Sequence, residues 1–384
     1  MRAARAGATA LALCLLTASH AQAAPKAPSG TPVVVGAILS MSGPYAPLGE
    51  PERNALQLAQ KDINAHGGVA GRPIEFRIVD DEGKADTAQQ LATTMIGDHV
   101  SMIIGSSLTP ASRVIARVAN DAKVAHIFMT PTRDIWDTKN GVAKYTFETT
   151  PRNELEAEKI AGFIKNRLHR TKIALTHDDQ QYGVGGSAVF AAEAKRQGLE
   201  IVDDEAFTPT ATDVTPQLQK AMRSGADAIV IWTAAPTAAI LARQAKQFGF
   251  KGDVIGSTGI VSANFLRIAG RDGYGVYADQ DIDLTYPSPG QRAFMGAYRS
   301  EFHGAPPNFA SFAWDAAHLA AMALTATKVG SGDAIVAALE GMKPYRGTTG
   351  TFRFSATDHN GLAASDIRMV REEGAWVTLP PNQQ

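Results

Sequence analysis

The sequence predicts an α/β protein made of two doubly wound, Rossmann-like lobes. From Val33 onward, short β-branched runs alternate with longer amphipathic segments, the pattern of a parallel sheet with helices on both faces. The rhythm breaks near Thr149-Thr150-Pro151, restarts, and runs on to Ala278. The roughly 360 residues that follow Ala23 exceed what one hydrophobic core comfortably serves, so a repeated α/β half is the natural reading.

Taken in order, the predicted strands are Val33 to Leu39, Ile74 to Asp80, Met102 to Ile104, Ala125 to Phe128, Ile173 to Thr176, Ile201 to Asp204, Ala228 to Ile231, Val254 to Ile255 and Gly275 to Ala278. Helices fill the intervals. In the first, Ala55, Ala59 and Ile63 recur every four residues, Leu56 and Leu58 widen the stripe, and Gly67-Gly68 ends it. After Asp279 the pattern turns helical, at Pro289 to Glu301, Phe309 to Lys328 and Asp333 to Glu340, with a strand-rich tail from Thr348. Two similar halves with returning segments imply several chain crossings between them, and such crossings make a hinge.

The first 23 residues have the three parts of a secretory signal peptide. Arg2 and Arg5 precede an apolar stretch from Ala6 to Thr17, and Ala21-Gln22-Ala23 supplies the small residues for cleavage after Ala23. The stretch is shorter than the ~20 residues of a membrane span, and a retained anchor is the alternative. The only cysteine, Cys14, would leave with this segment, taking away any thiol for a disulfide, metal or nucleophile. Residues 24–31, rich in Pro, Ala and Ser, read as a disordered leader. A net charge of -1 gives no basic surplus for nucleic acid or anionic membrane.

Catalytic signatures are missing: there is no GxxxxGK[ST], HExxH, GxSxG or CxxC, and the nine histidines show no metal-ligand spacing. Gly183-Val184-Gly185-Gly186-Ser187-Ala188 does satisfy GxGxxA. However, His177 to Tyr182 separates it from the preceding strand, where a dinucleotide fingerprint needs an immediate turn. A helix start with free amides facing a cleft fits better, and no cofactor is expected.

Ligand-contact candidates lie at the carboxyl ends of the strands, where an open parallel sheet has its crevice. Ser106, Ser107 and Thr109 precede or open a helix at Pro110 and suit either a bound carboxylate or plain N-capping. Thr130, Thr132 and Asp134 form the next such turn. In the second half, Tyr182, Trp232, Thr233, Thr258 and Gly259 hold the matching places, with the aromatics readable as ligand wall or as packing.

At these residues the chain resembles the exported substrate-binding proteins of branched-chain amino-acid-type ABC importers, the leucine-binding proteins. The likeness is carried by Met41-Ser42-Gly43-Pro44, by Lys61-Asp62-Ile63-Asn64-Ala65-His66-Gly67-Gly68-Val69, by Val79-Asp80-Asp81, by His177-Asp178-Asp179-Gln180-Gln181-Tyr182-Gly183, and by Ala242-Arg243-Gln244-Ala245. It covers nearly all of Val33 to Val377. The resemblance implies a type I periplasmic binding fold with a three-strand hinge, crossing near Thr149, Asp279 and Gly350. One lobe would comprise 32–148 plus 279–350, the other 149–278 plus 351–380.

By the same resemblance, Ser106 and Ser107 would meet a ligand carboxylate, Thr130, Thr132 and Asp134 would follow, and Tyr182 would form an aromatic wall. One departure stands out: Thr258 falls where the leucine-type relatives carry an acid for the ligand's amino group, and Ala234 or Ala235 falls where they carry an aromatic residue. Either Asp134 or Asp279 supplies the missing charge, or the ligand is a carboxylate without an amine. The expected protein is thus a monomeric, periplasmic, non-enzymatic receptor. It would take a branched-chain or other amino acid, or an aromatic or aliphatic organic acid, to a membrane permease. A ligand-sensing regulator on the same fold, or an exported dinucleotide-dependent enzyme, are the alternatives.

Overall fold

The computed structural model describes residues 27–137, 144–234, 236–283 and 285–384. The signal segment at 1–23 with Cys14, the start of the leader, and Ala235 lie outside the described residues. Where the leader is described it is tied down, since the Ser29 N–H donates to the Gly71 carbonyl at 3.0 Å and Arg72 donates to the Thr31 carbonyl at 2.9 Å.

The first half runs β1 (Val33–Leu39), α1 (Ala46–Ala65), β2 (Ile74–Asp80), α2 (Ala85–Gly97), β3 (Ile103–Ile104), α3 (Thr109–Asp121), β4 (His126–Phe128) and β5 (Thr146–Glu148). These strands pair in parallel in the order β2-β1-β3-β4-β5. The two-residue period of β1 divides its side chains cleanly. Val33, Val35, Ala37 and Leu39 join a core with α1, while Ile38 joins a separate core with α2 and α3 on the other face. β5 was not expected, because three residues just before the break in the rhythm carry too little pattern.

The second half runs α4 (Asn153–Phe163), β6 (Lys172–Asp178), α5 (Gln181–Gln197), β7 (Glu200–Phe207), α6 (Thr215–Arg223), β8 (Ala228–Trp232), α7 (Thr237–Gln247), β9 (Asp253–Gly256), α8 (Ala263–Ala269) and β10 (Tyr277–Gln280). Its strands are parallel in the order β7-β6-β8-β9-β10. Here too the core is double. Ala228, Val230 and Trp232 pack with α4 and α5, whereas Ile229 and Ile231 pack with α6, α7 and α8. Burial on both faces is why these strands read as continuous apolar runs.

The chain then returns to the first half as α9 (Pro289–Phe302), α10 (Asn308–Ala326) and α11 (Gly332–Glu340), followed by the hairpin β11 (Tyr345–Arg346) and β12 (Thr351–Phe352). α10 is apolar on nearly every side and packs on α1, its alanines allowing the two helices to approach closely. Finally β13 (Arg368–Glu372) and β14 (Trp376–Thr378) add an antiparallel edge to the second sheet.

Two boundaries differ from expectation. Asp279 lies inside β10 and belongs to the second sheet, so the chain crosses just after Gln280, and Ile282 is already in the first core. Gly350 closes the tip of the β11–β12 hairpin by accepting from the Gly347 N–H at 2.8 Å. The third crossing is therefore at Ile367 to Arg368, because Phe354, Leu362 and Ile367 are still buried in the first core.

Candidate functional site

Each sheet reverses its strand order once, between β1 and β3 in the first and between β6 and β8 in the second, and this is where an open α/β sheet forms its crevice. The two crevices face one another. Between them lies a cavity of about 420 Å³ lined from both halves. On the first side it is lined by Tyr45, Leu48, Ser107, Thr109, Met129, Thr130 and Phe312, and on the second by Glu156, Asp178, Tyr182, Ala234, Thr258, Gly259 and Phe265.

Ser107, Thr109, Thr130, Tyr182, Thr258 and Gly259 are thus brought together as expected residues of one cavity. The hydroxyls of Thr109, Thr130 and Thr132 form a chain, Thr109 lying 3.0 Å from Thr130 and 3.1 Å from Thr132, although Thr132 does not line the cavity. Tyr182 presents its ring and donates its hydroxyl to Ser257 at 3.1 Å. Thr258 accepts from the Asn308 amide at 2.5 Å, a hydrogen bond from one half to the other.

Besides Thr132, five expected residues lie outside the lining. Ser106 is fully buried and donates to Asp81 at 2.6 Å, and Ser40 donates to the other oxygen of the same carboxylate at 2.7 Å. Asp134 is more than half exposed and pairs with Arg113 at 3.0 Å. Trp232 is fully buried, its ring 6.1 Å from that of Phe190. Thr233 is buried behind the wall and donates to Asp178 at 2.5 Å. Asp279 is fully buried beside the Thr258 backbone and outside the cavity lining.

The GxGxxA run also finds its explanation. A Cβ on Gly183 would fall 2.3 Å from the Asp178 carbonyl, and one on Gly186 would fall 1.9 Å from the indole nitrogen of Trp232. These glycines let α5 lie against β6 and β8. Asp178 accepts from the Gln180 amide at 2.9 Å ahead of the helix start, so a carboxylate already faces the place a pyrophosphate would need.

Two acids went unnoticed in the sequence. Glu52 is fully buried on α1 and accepts the Ser107 hydroxyl hydrogen bond. Burial pushes it well above the usual carboxylate range. In its protonated form the acid can donate to Ser107, freeing the serine hydrogen for a ligand oxygen. Glu156 is fully buried on α4, lines the cavity, and has two oxygens without a hydrogen-bond partner among the described residues. A signal was there to be read. Glu52 sits in phase with Leu48 and Leu56, and Glu156 with Ile160 and Phe163, so each acid interrupts an apolar stripe at helical spacing.

Burial raises other carboxylates around the crossings. Glu148 is pushed up to about 8, opposed by hydrogen bonds from Trp136 and Thr150, and Glu156, Asp279 and Asp281 also move upward. An acid whose pKa is higher folded than unfolded holds its proton more tightly in the native state. The stability it contributes is complete below the ordinary value near ~4 and is lost as pH rises through the native value. Burial pulls His126 down to about 4, the opposite case, which costs stability as pH falls from about 6.5. Between about pH 6.5 and 8.5 the carboxylates dominate, and the melting temperature is expected to fall across that interval. Scanning calorimetry at constant ionic strength checks this, and a flat or rising melting temperature would refute it.

Residues 32–375 match the model of a family described as periplasmic binding protein. Leu/Ile/Val-binding protein homolog 3 of Brucella melitensis is 24% identical over 338 residues, covering 87% of this chain and 90% of that protein. The leucine-, isoleucine-, valine-, threonine- and alanine-binding protein of Pseudomonas aeruginosa is 24% identical over 261 residues, covering 68% of this chain and 69% of that one. The branched-chain amino acid transporter substrate binding protein LivJ from Streptococcus pneumoniae, solved in complex with isoleucine, matches with a TM-score of 0.80 and 26% identity. That match covers 91% of this chain and 100% of the other. An extracellular ligand-binding receptor from Rhodopseudomonas palustris matches with a TM-score of 0.83 and 24% identity, with the same coverage. Two facing, doubly wound halves and a match over nearly the whole described chain lead to one conclusion: the chain belongs to the periplasmic binding protein family, with the type I fold.

Proposed function

We propose that the chain is an exported, non-enzymatic receptor that captures a small carboxylate-bearing molecule between its halves and hands it to the membrane permease of an ABC importer. The observation that carries this reading is the cavity between the two sets of strand ends, lined about equally from each side. Its size suits an amino acid or a compact organic acid. The hydroxyls of Ser107 and Thr109 at the start of α3 and of Thr130 just after β4 face the carboxylate, and the apolar body lies against Tyr182. The relatives named for leucine, isoleucine and valine support the same class of ligand. The receptor works as a monomer, in the periplasm, after removal of the signal segment.

Among the described residues no helix is long and apolar enough to cross a membrane, in keeping with a separate permease. Three crossings joining the halves give a hinge about which they close on the ligand. Binding is expected at micromolar affinity or better, about 8 kcal/mol. The test combines calorimetric titration of a panel of amino acids and organic acids with small-angle scattering. A binder should shrink the radius of gyration. A binder that leaves the radius unchanged would sink the hinge mechanism, and a panel without any binder would sink the receptor reading.

A further inference from the structure

Among the described residues that line the cavity there is no lysine, arginine or histidine, so a ligand carboxylate at the first half meets hydroxyls and no fixed positive charge. Behind one of those hydroxyls stands an acid. Ser107, just ahead of α3, is hydrogen-bonded to Glu52, which is fully buried on α1 and lies outside the cavity lining. The other oxygen of Glu52, Oε1, has no hydrogen-bond partner among the described residues. Asp81, close by, is equipped differently. Its carboxylate accepts from Ser40, Ser106 and the Gly83 amide, three donors of the kind that sustain a buried charge. A buried acid with one such partner holds a proton more readily than a charge, and the negative potential of Asp81 adds to that preference.

The contact between Ser107 and Glu52 uses one hydrogen, and its origin decides what a ligand meets. An ionised Glu52 can only accept, so the serine hydrogen is spent on it and Ser107 turns lone pairs toward the cavity. Two carboxylates would then flank one hydroxyl. A protonated Glu52 makes the contact with its own hydrogen, which leaves the serine hydrogen free for an anion. We propose that Glu52 is a positioning residue whose proton makes Ser107 a donor toward the cavity, so that a carboxylate binds the proton-bearing form of the protein. Binding then draws in a proton wherever Glu52 has already ionised. This rests on the receptor reading above.

The charged groups on the surrounding elements leave the task to Glu52. Asp81, after β2, is the one that acts on it. On α1 itself, Glu50 is exposed, Arg53 reaches Asn54, Lys61 pairs with Glu301 of α9, and Asp62 pairs with His318 of α10. Asp315 of α10 is taken by the amides of Thr348 and Thr349, Asp80 of β2 by the Met41 amide, and His126 of β4 by the Gly105 carbonyl. The sign follows from the upward shift that burial gives Glu52. Affinity is complete below the native pKa of this acid and is lost as pH rises through it.

The test uses leucine, phenylalanine, 4-methylpentanoate and 3-phenylpropanoate as probes, titrated calorimetrically into wild type, Glu52→Gln and Ser107→Ala from mildly acidic to alkaline pH. The two probes without an amine have nothing of their own to titrate above neutral pH, so any fall in their affinity reports the protein. Infrared difference spectra of wild type against Glu52→Gln read the acid directly, since a protonated carboxyl and a carboxylate absorb apart. Melting curves show that both variants fold. The expected result is a protonated Glu52 at neutral pH, free and in each complex. As the free acid ionises, affinity should fall about tenfold per pH unit in wild type, and this fall should be absent in Glu52→Gln, which carries a donor but nothing to ionise. Ser107→Ala should weaken the probes on the order of tenfold. A Glu52 that stays protonated to the alkaline limit of the folded protein, with level affinity, agrees with the assignment. An ionised Glu52 in a complex would overturn it, as would affinity that stays level while the free acid ionises, or a fall retained in Glu52→Gln. Absence of binding by all four probes would count against the receptor reading, while the spectrum of the free protein still decides the state of Glu52.

Discussion

Trp232→Ala should destabilise the protein by about 3–5 kcal/mol, the ordinary cost of deleting a large aromatic from a close-packed core. Trp232 ends β8 fully buried, beside Phe190 of α5 and Val230 of its own strand, with Gly186 so near that no side chain could stand there. Removal leaves a void that the surrounding sheet and helix cannot fill without moving. Equilibrium denaturation in urea would show the loss. Affinity for any ligand, measured on the folded fraction, should change far less. A variant as stable as the wild type but unable to bind would mean that Trp232 belongs to the cavity wall after all.

Asp315→Ala should cost about 2–6 kcal/mol for a different reason, at 1–3 kcal/mol for each of two buried donors left without an acceptor. The Asp315 carboxylate is fully buried on α10 and accepts the N–H groups of Thr348 at 2.8 Å and Thr349 at 2.7 Å. It holds the hairpin turn between β11 and β12 against the helix. Gly347 passes so close that a Cβ there would fall 2.6 Å from the carboxylate. Asp315→Asn keeps one carbonyl acceptor and should recover part of the loss. Denaturation of the two variants side by side provides the check, and an Ala variant within about 0.5 kcal/mol of wild type would show that the turn finds other partners.

The fold was largely legible because most of its strands are buried on both faces, and an unbroken run such as Ala-Ile-Val-Ile-Trp at Ala228 to Trp232 has few other readings. That same continuity hid the fate of Trp232. With both faces apolar, nothing in the run says which side turns toward a ligand and which toward a helix. Ser106 was misread for another reason. Its hydroxyl is claimed by Asp81, 25 residues away in sequence, and only the pairing of β1 with both β2 and β3 brings the two together. Tyr182, Thr109 and Thr130 were legible as lining residues because each lies just past the carboxyl end of a parallel strand, the edge that borders the crevice. Glu156 was missed because an acid in the first turn of a helix has a ready explanation in the helix dipole, and that explanation masked its break in the apolar stripe.

The hydrogen bond from Asn308 to Thr258 joins the halves, so any opening that separates them must break it. A bond of this kind is worth about 0.5–1.5 kcal/mol, enough to enrich the shut arrangement roughly two- to twelvefold before any solute arrives. A ligand binding only the shut form inherits that enrichment, because its apparent affinity scales with the fraction of molecules already competent. In the receptor proposed above, the same bias would carry a transport cost, since empty, shut molecules would compete with loaded ones wherever a permease recognised the outer shape alone. Thr258 thus weights the shut arrangement as well as lining the cavity.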